Sequence, residues 1–435
     1  MAIATTPPSG FRDFLPEAAA LRAHAAETIA SVYRSFGFQR VFTSAVEDLA
    51  VLLGKGGGEN EKLIFKVLKR GAELERARAA GDAGELADLG LRFDLTVPLA
   101  RYYSRFGPQL PHPFKAFQIG PVWRADRAQK GRFREFWQCD ADIVGSESWQ
   151  CEVEVISALV AAVTRLGVAP PRVMINDRGL VYALLDRAGV PEDRRLGACV
   201  ALDKLDKVPR ADVIVELTAL AGEPAARALE ASMLVEVPDR EALRAAHPQA
   251  LERLEKIVAA LGKLTGRPDD FVLSPSLMRG LDYYTGPVFE LHHPSLSGSL
   301  GGGGRYDRLT EKFGGQPVPA CGGSIGFERL LILLEEAGVS GAALAPDAVV
   351  TVFSEELRPA TLDLAAALRA AGRSVDVYAG TGKLKAQFKY ADQRKAPFCI
   401  VLGPDEAARG VAKVKDMRSG EEVTVPLGEV ASRLG

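Results

Sequence analysis

The sequence predicts a mixed α/β protein, and three observations predict it. Residues 114–143 read as an antiparallel strand pair, residues 170–266 have a helical texture dominated by Arg, Glu, Ala and Leu, and the stretch after residue 346 alternates short apolar strands with helices. A mainly helical segment therefore interrupts a strand-rich body, and a small parallel α/β module follows it.

In chain order, residues 16–36 predict a helix, because Leu21, Ala25, Thr28, Ile29, Val32 and Tyr33 recur at helical spacing before the stop residue Gly37. "GFQRVFTSAVED" reads as a strand. Residues 71–90 are charged, Ala-rich and bounded by glycines, which suggests a surface hairpin or mobile insertion. After the helical segment, strand signals return in "FVLSPSLMRGLDYYTGPVFELHH", a helix begins near Phe327, and residues 338–347 have linker composition. Beyond them, "AVVTVF", "SVDVYAG" and "PFCIVLG" are short strands separated by two helical stretches.

Composition narrows the class. The 435 residues leave room for a catalytic body and a smaller module. A net charge of −2, with 47% hydrophobic and 25% charged residues, excludes a generic nucleic-acid coat but leaves local binding patches open. Cys139, Cys151, Cys199, Cys321 and Cys399 are scattered without a CxxC pair, which fits reduced thiols and predicts no structural metal. "MAIATTPPSG" lacks a basic start followed by an apolar run, and no apolar stretch is long enough to span a bilayer. The expected location is cytoplasmic.

The chemistry concentrates in "RADRAQKGRFREFWQCDAD". From Arg132 onward the even positions are Arg132, Arg134, Phe136, Gln138, Asp140 and Asp142, and the odd ones are mostly apolar. Strand side chains point alternately to opposite faces, so one face of the hairpin is polar and suits the floor of a site. Arginine forks bind phosphate oxygens in pairs and an aromatic ring stacks on a base, a combination that fits a nucleotide. Both common phosphate cradles are missing: "GTGKLK" has Leu384 after its lysine, and "GGGGRYD" has Tyr306 where a dinucleotide fingerprint needs glycine. The protein's own histidines look uninvolved; His292 and His293 are adjacent on a strand and face opposite ways.

"WRADRAQKGRFREFWQCDADIVG" resembles motif 2 of the class II aminoacyl-tRNA synthetases in their histidyl form. "LMRGLDYYTGPVFE" and "GGGGRYDRL" resemble the two histidine-specific signatures, "GGSIGFERLLILL" resembles motif 3, and "LKAQFKYADQRKAPFCIVLG" resembles the anticodon-binding domain. The motifs follow the family order and cover nearly the whole chain from "PSGFRDFLP" onward.

The resemblance implies an antiparallel sheet flanked by helices as a catalytic domain over residues 1–337, with the helical insertion at about 170–266, and an anticodon-binding domain over 346–435. It implies a homodimer that activates histidine with ATP and passes it to tRNA(His), with Mg²⁺ only as the companion of ATP. Arg124 would hold the α-phosphate, Arg132 and Arg329 the outer phosphates, and Phe136 the adenine, with Asp126 and Arg134 completing the ATP set. Arg279 would orient the attacking carboxylate and neutralise the phosphorus centre, which makes Arg279, Arg124 and Arg329 the expected catalytic group. Asp94, Leu95, Thr96 and Gln138 match the surroundings of the α-amino group, Asp142 and Tyr284 face the imidazole, and Tyr283 and Tyr306 line the pocket. Gln129, Lys383, Lys385, Lys389, Arg394 and Lys395 are the expected tRNA contacts, helped by Phe388 and Tyr390.

Some positions depart from the commonest bacterial pattern. Ser44 stands where motif 1 usually has proline, and Asp94, Asp126 and Asp142 stand where glutamate is usual; "DLT" and "QCDAD" are similar to the eukaryotic-type branch. Two rival readings keep the same fold: a synthetase-like regulatory subunit of ATP phosphoribosyltransferase, and a catalytically silent RNA-binding module. Retention of Arg124, Arg279 and Arg329 beside the C-terminal module argues against the first; fold alone does not exclude the second.

Overall fold

The period-two stretch is built as two antiparallel strands, Phe114–Trp123 and Glu135–Val144, in a register that sets Gln118 opposite Asp140 and Ala116 opposite Asp142. The computed structural model describes residues 3, 5–53, 59–81, 86–127, 133–205, 208–235, 237–278, 283–339 and 345–434. They form two units, Met1–Ser340 and Gly341–Gly435.

In the first unit the hairpin belongs to an eight-stranded sheet. Across it, among the described residues, run Gln39–Arg40, Phe114–Trp123, Glu135–Val144, Ala320–Gly326, Gly301–Arg305, Pro287–His292, Arg172–Asp177 and Phe271–Leu273. The interior pairings are antiparallel and the two edge strands pair in parallel. The odd-numbered face of Glu135–Val144 carries Cys139, Ala141 and Ile143, which join Cys321, Ile325, Phe289 and Leu291 under the helices Pro16–Ser35, Gln150–Arg165 and Pro248–Thr265. Each large apolar side chain buried there contributes about 1.5–3 kcal/mol, so this face holds the sheet to its helices. The even-numbered face is left for polar groups.

A buried ion pair fixes one end of the sheet. Arg305 ends its strand and donates to Glu152 on helix Gln150–Arg165 through Nε (2.6 Å) and Nη2 (2.9 Å), with both side chains almost fully buried. The Ser146 and Ser148 carbonyls take further guanidinium donors. On the other side, Arg12 and Arg22 both pair with Glu328 in the first turn of helix Phe327–Glu336.

Four expectations change. "GFQRVFTSAVED" is not one strand: Gln39–Arg40 joins the large sheet and Val46–Asp48 a three-stranded one. Between them the backbone turns, because Arg92 binds the Thr43 carbonyl at 3.0 Å and the Ser44 hydroxyl binds the Val46 carbonyl at 2.6 Å. Residues 71–90 are not a hairpin. Their Ala, Glu and Arg favour a helix, Gly71–Ala80, closed by Gly81 at φ +74, and Ala87–Leu91 then forms the middle strand of the three-stranded sheet.

The helical segment begins with a strand of the large sheet, Arg172–Asp177, and its apolar residues share the main core, so it is not packed as a separate body. In the second unit the parallel strands Val375–Val377, Ala348–Val350 and Phe398–Val401 form as expected. Two antiparallel strands, Val411–Asp416 and Glu422–Pro426, extend them and had no strong sequence signal, being short and half polar. No helix among the described residues is long and apolar enough to cross a membrane.

Candidate active site

The sheet register lays a row of neighbours across the open face: Gln118, Asp140, Ser324, Gly302 and Glu290, strand by strand, with Gln138 and Asp142 in the flanking rows. Above this face lies a cavity of about 350 Å³. Asp94, Thr96, Arg124, Gln138, Tyr283, Tyr284 and Tyr306 all line it. These residues are far apart in the chain, and the sheet gathers them.

Glycine allows close packing in and beneath the floor. A Cβ on Gly322 would overlap Asp142 Oδ1, and one on Gly303 would overlap the Gly322 carbonyl oxygen. The "GGGG" run is thus a strand interior, where glycine marks close approach, and it supplies part of the floor.

The polar groups are arranged by second contacts. Asp94 Oδ1 accepts from the Val97 amide at the start of helix Thr96–Phe106, and Gln118 holds the same loop by donating to the Leu95 carbonyl at 3.0 Å. Arg124 donates through Nε to the Phe93 carbonyl (3.1 Å), and its guanidinium carbon lies 5.0 Å from the Phe136 ring centroid. The Tyr306 hydroxyl donates to Asp142 Oδ1 at 2.5 Å, while Asp142 Oδ2 is buried without a partner. The Tyr283 ring packs 4.6 Å from Tyr284 and edge-on to Tyr306 at 6.2 Å.

Burial dominates the electrostatics. It pushes the Asp94 carboxyl up to about 6 against the pull of the Val97 amide and Arg124. Burial likewise pushes Asp142 up to about 7, opposed by the Tyr306 hydrogen bond and reinforced by the charge of Asp94. Asp140 is raised well above the usual carboxylate range by burial and by Asp142. Such a set of carboxylates, short of counter-charge, suits a ligand that brings an ammonium and an imidazole.

A stability consequence follows. The folded chain binds the Asp142 proton more tightly than the unfolded chain does, so this group's contribution falls as pH rises from the ordinary value near 3.8 through about 7. Asp142→Asn removes that slope. Its melting temperature relative to the wild type is expected to be higher at pH 8 than at pH 5, and a difference independent of pH would contradict the burial argument.

The other expected residues are placed as follows. Leu95 has a fully buried side chain behind the wall and contributes its carbonyl as an anchor. Asp142 is on the same face of the sheet, its carboxylate lying over Gly322 and bonded to the wall residue Tyr306, but it does not itself line the cavity. Arg134 is a structural tie: it donates to the Asp126 carbonyl (3.0 Å) and the Ser9 carbonyl (3.4 Å) and covers Gly10. Phe136 lies under the Arg124 guanidinium. Arg329 is exposed in the first turn of its helix and donates to the Ser299 carbonyl. Gln129, Arg132 and Arg279 lie outside the described residues.

Four polar wall residues had no role in the sequence reading: Asp140, Ser324, Glu290 and Asp203. Asp203 follows helix Arg195–Leu202, so the helical segment reaches the cavity. Glu290 accepts from or donates to His292 Nε2 at 3.1 Å, according to protonation, which brings one histidine next to the wall.

In the second unit, Lys383, Lys385, Lys389, Arg394 and Lys395 are exposed along and around helix Leu384–Gln393. Arg394 pairs with Asp376 at 3.1 Å. Phe388 and Tyr390 are half-buried instead of projecting: Lys415 lies over the Phe388 ring at 5.0 Å and the Tyr390 hydroxyl donates to Asp376 at 2.8 Å.

An antiparallel sheet backed by helices, with motif 2 on a central hairpin and motif 3 as a glycine-rich strand entering a helix, is the catalytic fold of the class II aminoacyl-tRNA synthetases. A family model described as histidyl-tRNA synthetase matches residues 10–330, and an anticodon-binding-domain model matches residues 347–435. The chain belongs to the histidyl-tRNA synthetase family. It is 43% identical over 404 residues to a histidine–tRNA ligase of Leifsonia xyli subsp. xyli, covering 89% of this chain and 92% of that relative. A solved histidyl-tRNA synthetase from Nostoc sp. PCC 7120 has a TM-score of 0.82 at 29% identity and covers 100% of this chain and 99% of its own. A Bacillus halodurans structure described as an ATP phosphoribosyltransferase regulatory subunit/histidyl-tRNA synthetase has a TM-score of 0.73 at 24% identity, covering 90% of this chain and 97% of its own; this is a likeness of fold alone.

Proposed function

We propose that the chain works as a histidine–tRNA ligase through the cavity on the large sheet. The observation that carries this reading is the union, in one cavity, of Asp94, Thr96 and Gln138, of tyrosines backed by Asp142, and of the Arg124 fork. Asp94, Thr96 and Gln138 hold the α-amino group. Asp142 and Tyr284 serve the two imidazole nitrogens, a buried polar match that rejects side chains unable to complete it. Arg124 holds the α-phosphate of ATP, which arrives with its Mg²⁺, while Arg132 and Arg329 take the outer phosphates.

Histidine's carboxylate oxygen attacks the α-phosphorus, the bond to the bridging oxygen breaks, and pyrophosphate leaves with the electron pair. Arg279 orients that carboxylate and offsets the charge gathering on the phosphorus centre. The terminal ribose hydroxyl of tRNA(His) then attacks the carbonyl of histidyl-adenylate and displaces AMP. Histidine-dependent ATP–pyrophosphate exchange by the purified protein tests the first step; absence of exchange would also be the outcome expected of a regulatory subunit or a silent RNA-binding module.

Residues 1–337 serve as the catalytic domain and 346–435 as the anticodon-binding domain. Lys385 and Lys389 are one helical turn apart and exposed, which suits phosphate contacts. Replacing both with Glu is expected to lower aminoacylation of tRNA(His) by about tenfold or more at physiological salt and to leave pyrophosphate exchange unchanged; equal loss of both activities would contradict a role confined to tRNA. The enzyme acts in the cytoplasm as a homodimer. Exposed Phe42, Val46 and Leu68 are candidates for the apolar part of its interface, and sedimentation equilibrium showing only monomer would rule the dimer out.

A further inference from the structure

Asp140 is 2% exposed and lies in the middle of the cavity floor, yet the reaction as described gives it no part. Its neighbours are oriented in one direction. Gln118, opposite it on one strand, is committed elsewhere: it accepts from Thr43 Oγ1 at 2.8 Å and donates to the Leu95 carbonyl. Ser324, opposite it on the other strand, hydrogen-bonds to its carboxylate, which partly offsets the effect of burial.

Gln138 shares the face with Asp140. Its amide nitrogen is 3.5 Å from Asp140 Oδ1 and 3.5 Å from Ser324 Oγ, whereas its Oε1 is buried without a hydrogen-bond partner. Burial favours a protonated Asp140, but the ammonium of bound histidine, together with Arg124, favours its ionised form; with that carboxylate taking the Ser324 proton, both neighbours of the amide present lone pairs. A flipped amide would set oxygen against oxygen, so the NH₂ end is kept toward Asp140 and Ser324 and the oxygen is left unpaired. A cation on that oxygen polarises the amide and strengthens its two long N–H contacts.

We propose that Asp140 and Ser324 are positioning residues that lock the Gln138 carboxamide with Oε1 presented to the α-ammonium group of histidine, and that this lock sets discrimination against ligands lacking the group. The idea rests on the reading above that Gln138 serves the α-amino group. Asp140 and Ser324 act through Gln138, and neither touches a reacting atom.

The test is inhibition of ATP–pyrophosphate exchange by 3-(imidazol-4-yl)propionate, which is histidine without its amino group, read as the ratio of its inhibition constant to the KM for histidine. Gln138→Ala is expected to shrink this ratio by about tenfold or more. Asp140→Asn, which can donate to Oε1 and so permits the flip, and Ser324→Ala should each shrink it in the same direction with the KM for ATP unchanged. A protein that was merely loosened would weaken both ligands together and keep the ratio. If Gln138→Ala shrinks the ratio and the other two variants keep it, the positioning role is overturned; if Gln138→Ala also keeps it, the assignment of Gln138 fails and the proposal falls with it. Should Asp140→Asn not fold, Ser324→Ala alone decides.

Discussion

Arg124→Ala is expected to lower kcat/KM in histidine-dependent pyrophosphate exchange by about a hundredfold or more, the usual effect of removing one preorganised contact to a developing negative charge. The guanidinium is on the cavity wall, and its plane is set by the Phe93 carbonyl at Nε and by the Phe136 ring beneath it. Little has to reorganise when the α-phosphate becomes more negative. Arg124→Lys keeps the charge but loses the fork and the Phe93 anchor, so it is expected to recover only part of the activity. Circular dichroism of both variants should match the wild type. Exchange within threefold of wild type in Arg124→Ala would remove this residue from the reaction.

The largest loss of stability is expected at the other end of the sheet. Glu152→Ala leaves the Arg305 guanidinium buried without its carboxylate, and breaking such a pair costs about 3–5 kcal/mol. The lost contact joins the strand Gly301–Arg305 to helix Gln150–Arg165, so the unit that carries the cavity should unfold at lower urea with its m-value preserved. Replacing both residues with Met should cost less than the single change, because the second substitution removes the stranded charge. A Glu152→Ala variant within about 1 kcal/mol of wild type would contradict a buried, unscreened pair.

Much of this architecture was readable because it rests on short periodicities. Period two in residues 132–143 separated the face of Gln138, Asp140 and Asp142 from that of Cys139, Ala141 and Ile143, and the strands pair in that sense. Helical spacing likewise placed Pro16–Ser35 within a residue of its observed end. What escaped depends on pairing across long separations. Ser324 becomes a neighbour of Asp140 only through the register of a strand some 180 residues away, and Glu290 enters the same row through two further pairings.

Asp140 was visible on the polar face, but alternation does not say which polar residue meets a ligand and which orients its neighbour. Asp203 was hidden differently, within a segment whose composition says helix and nothing about where a helix ends. Among the arginines, a common charge suggested a common role, yet Arg134 is bound to backbone carbonyls. The glycines were judged by loop fingerprints, whereas in this sheet they are strand residues whose missing side chains let neighbouring strands and Asp142 approach closely.

The most direct measurement is a crystal structure of the protein with histidine and a non-hydrolysable ATP analogue. The geometry predicts the imidazole against Tyr284 and the Tyr306–Asp142 pair, the ammonium between Asp94, Thr96 and Gln138 Oε1, and the α-phosphate on the Arg124 fork. Electron density for either ligand outside this cavity, or an Arg124 guanidinium turned away from the phosphate, would contradict it.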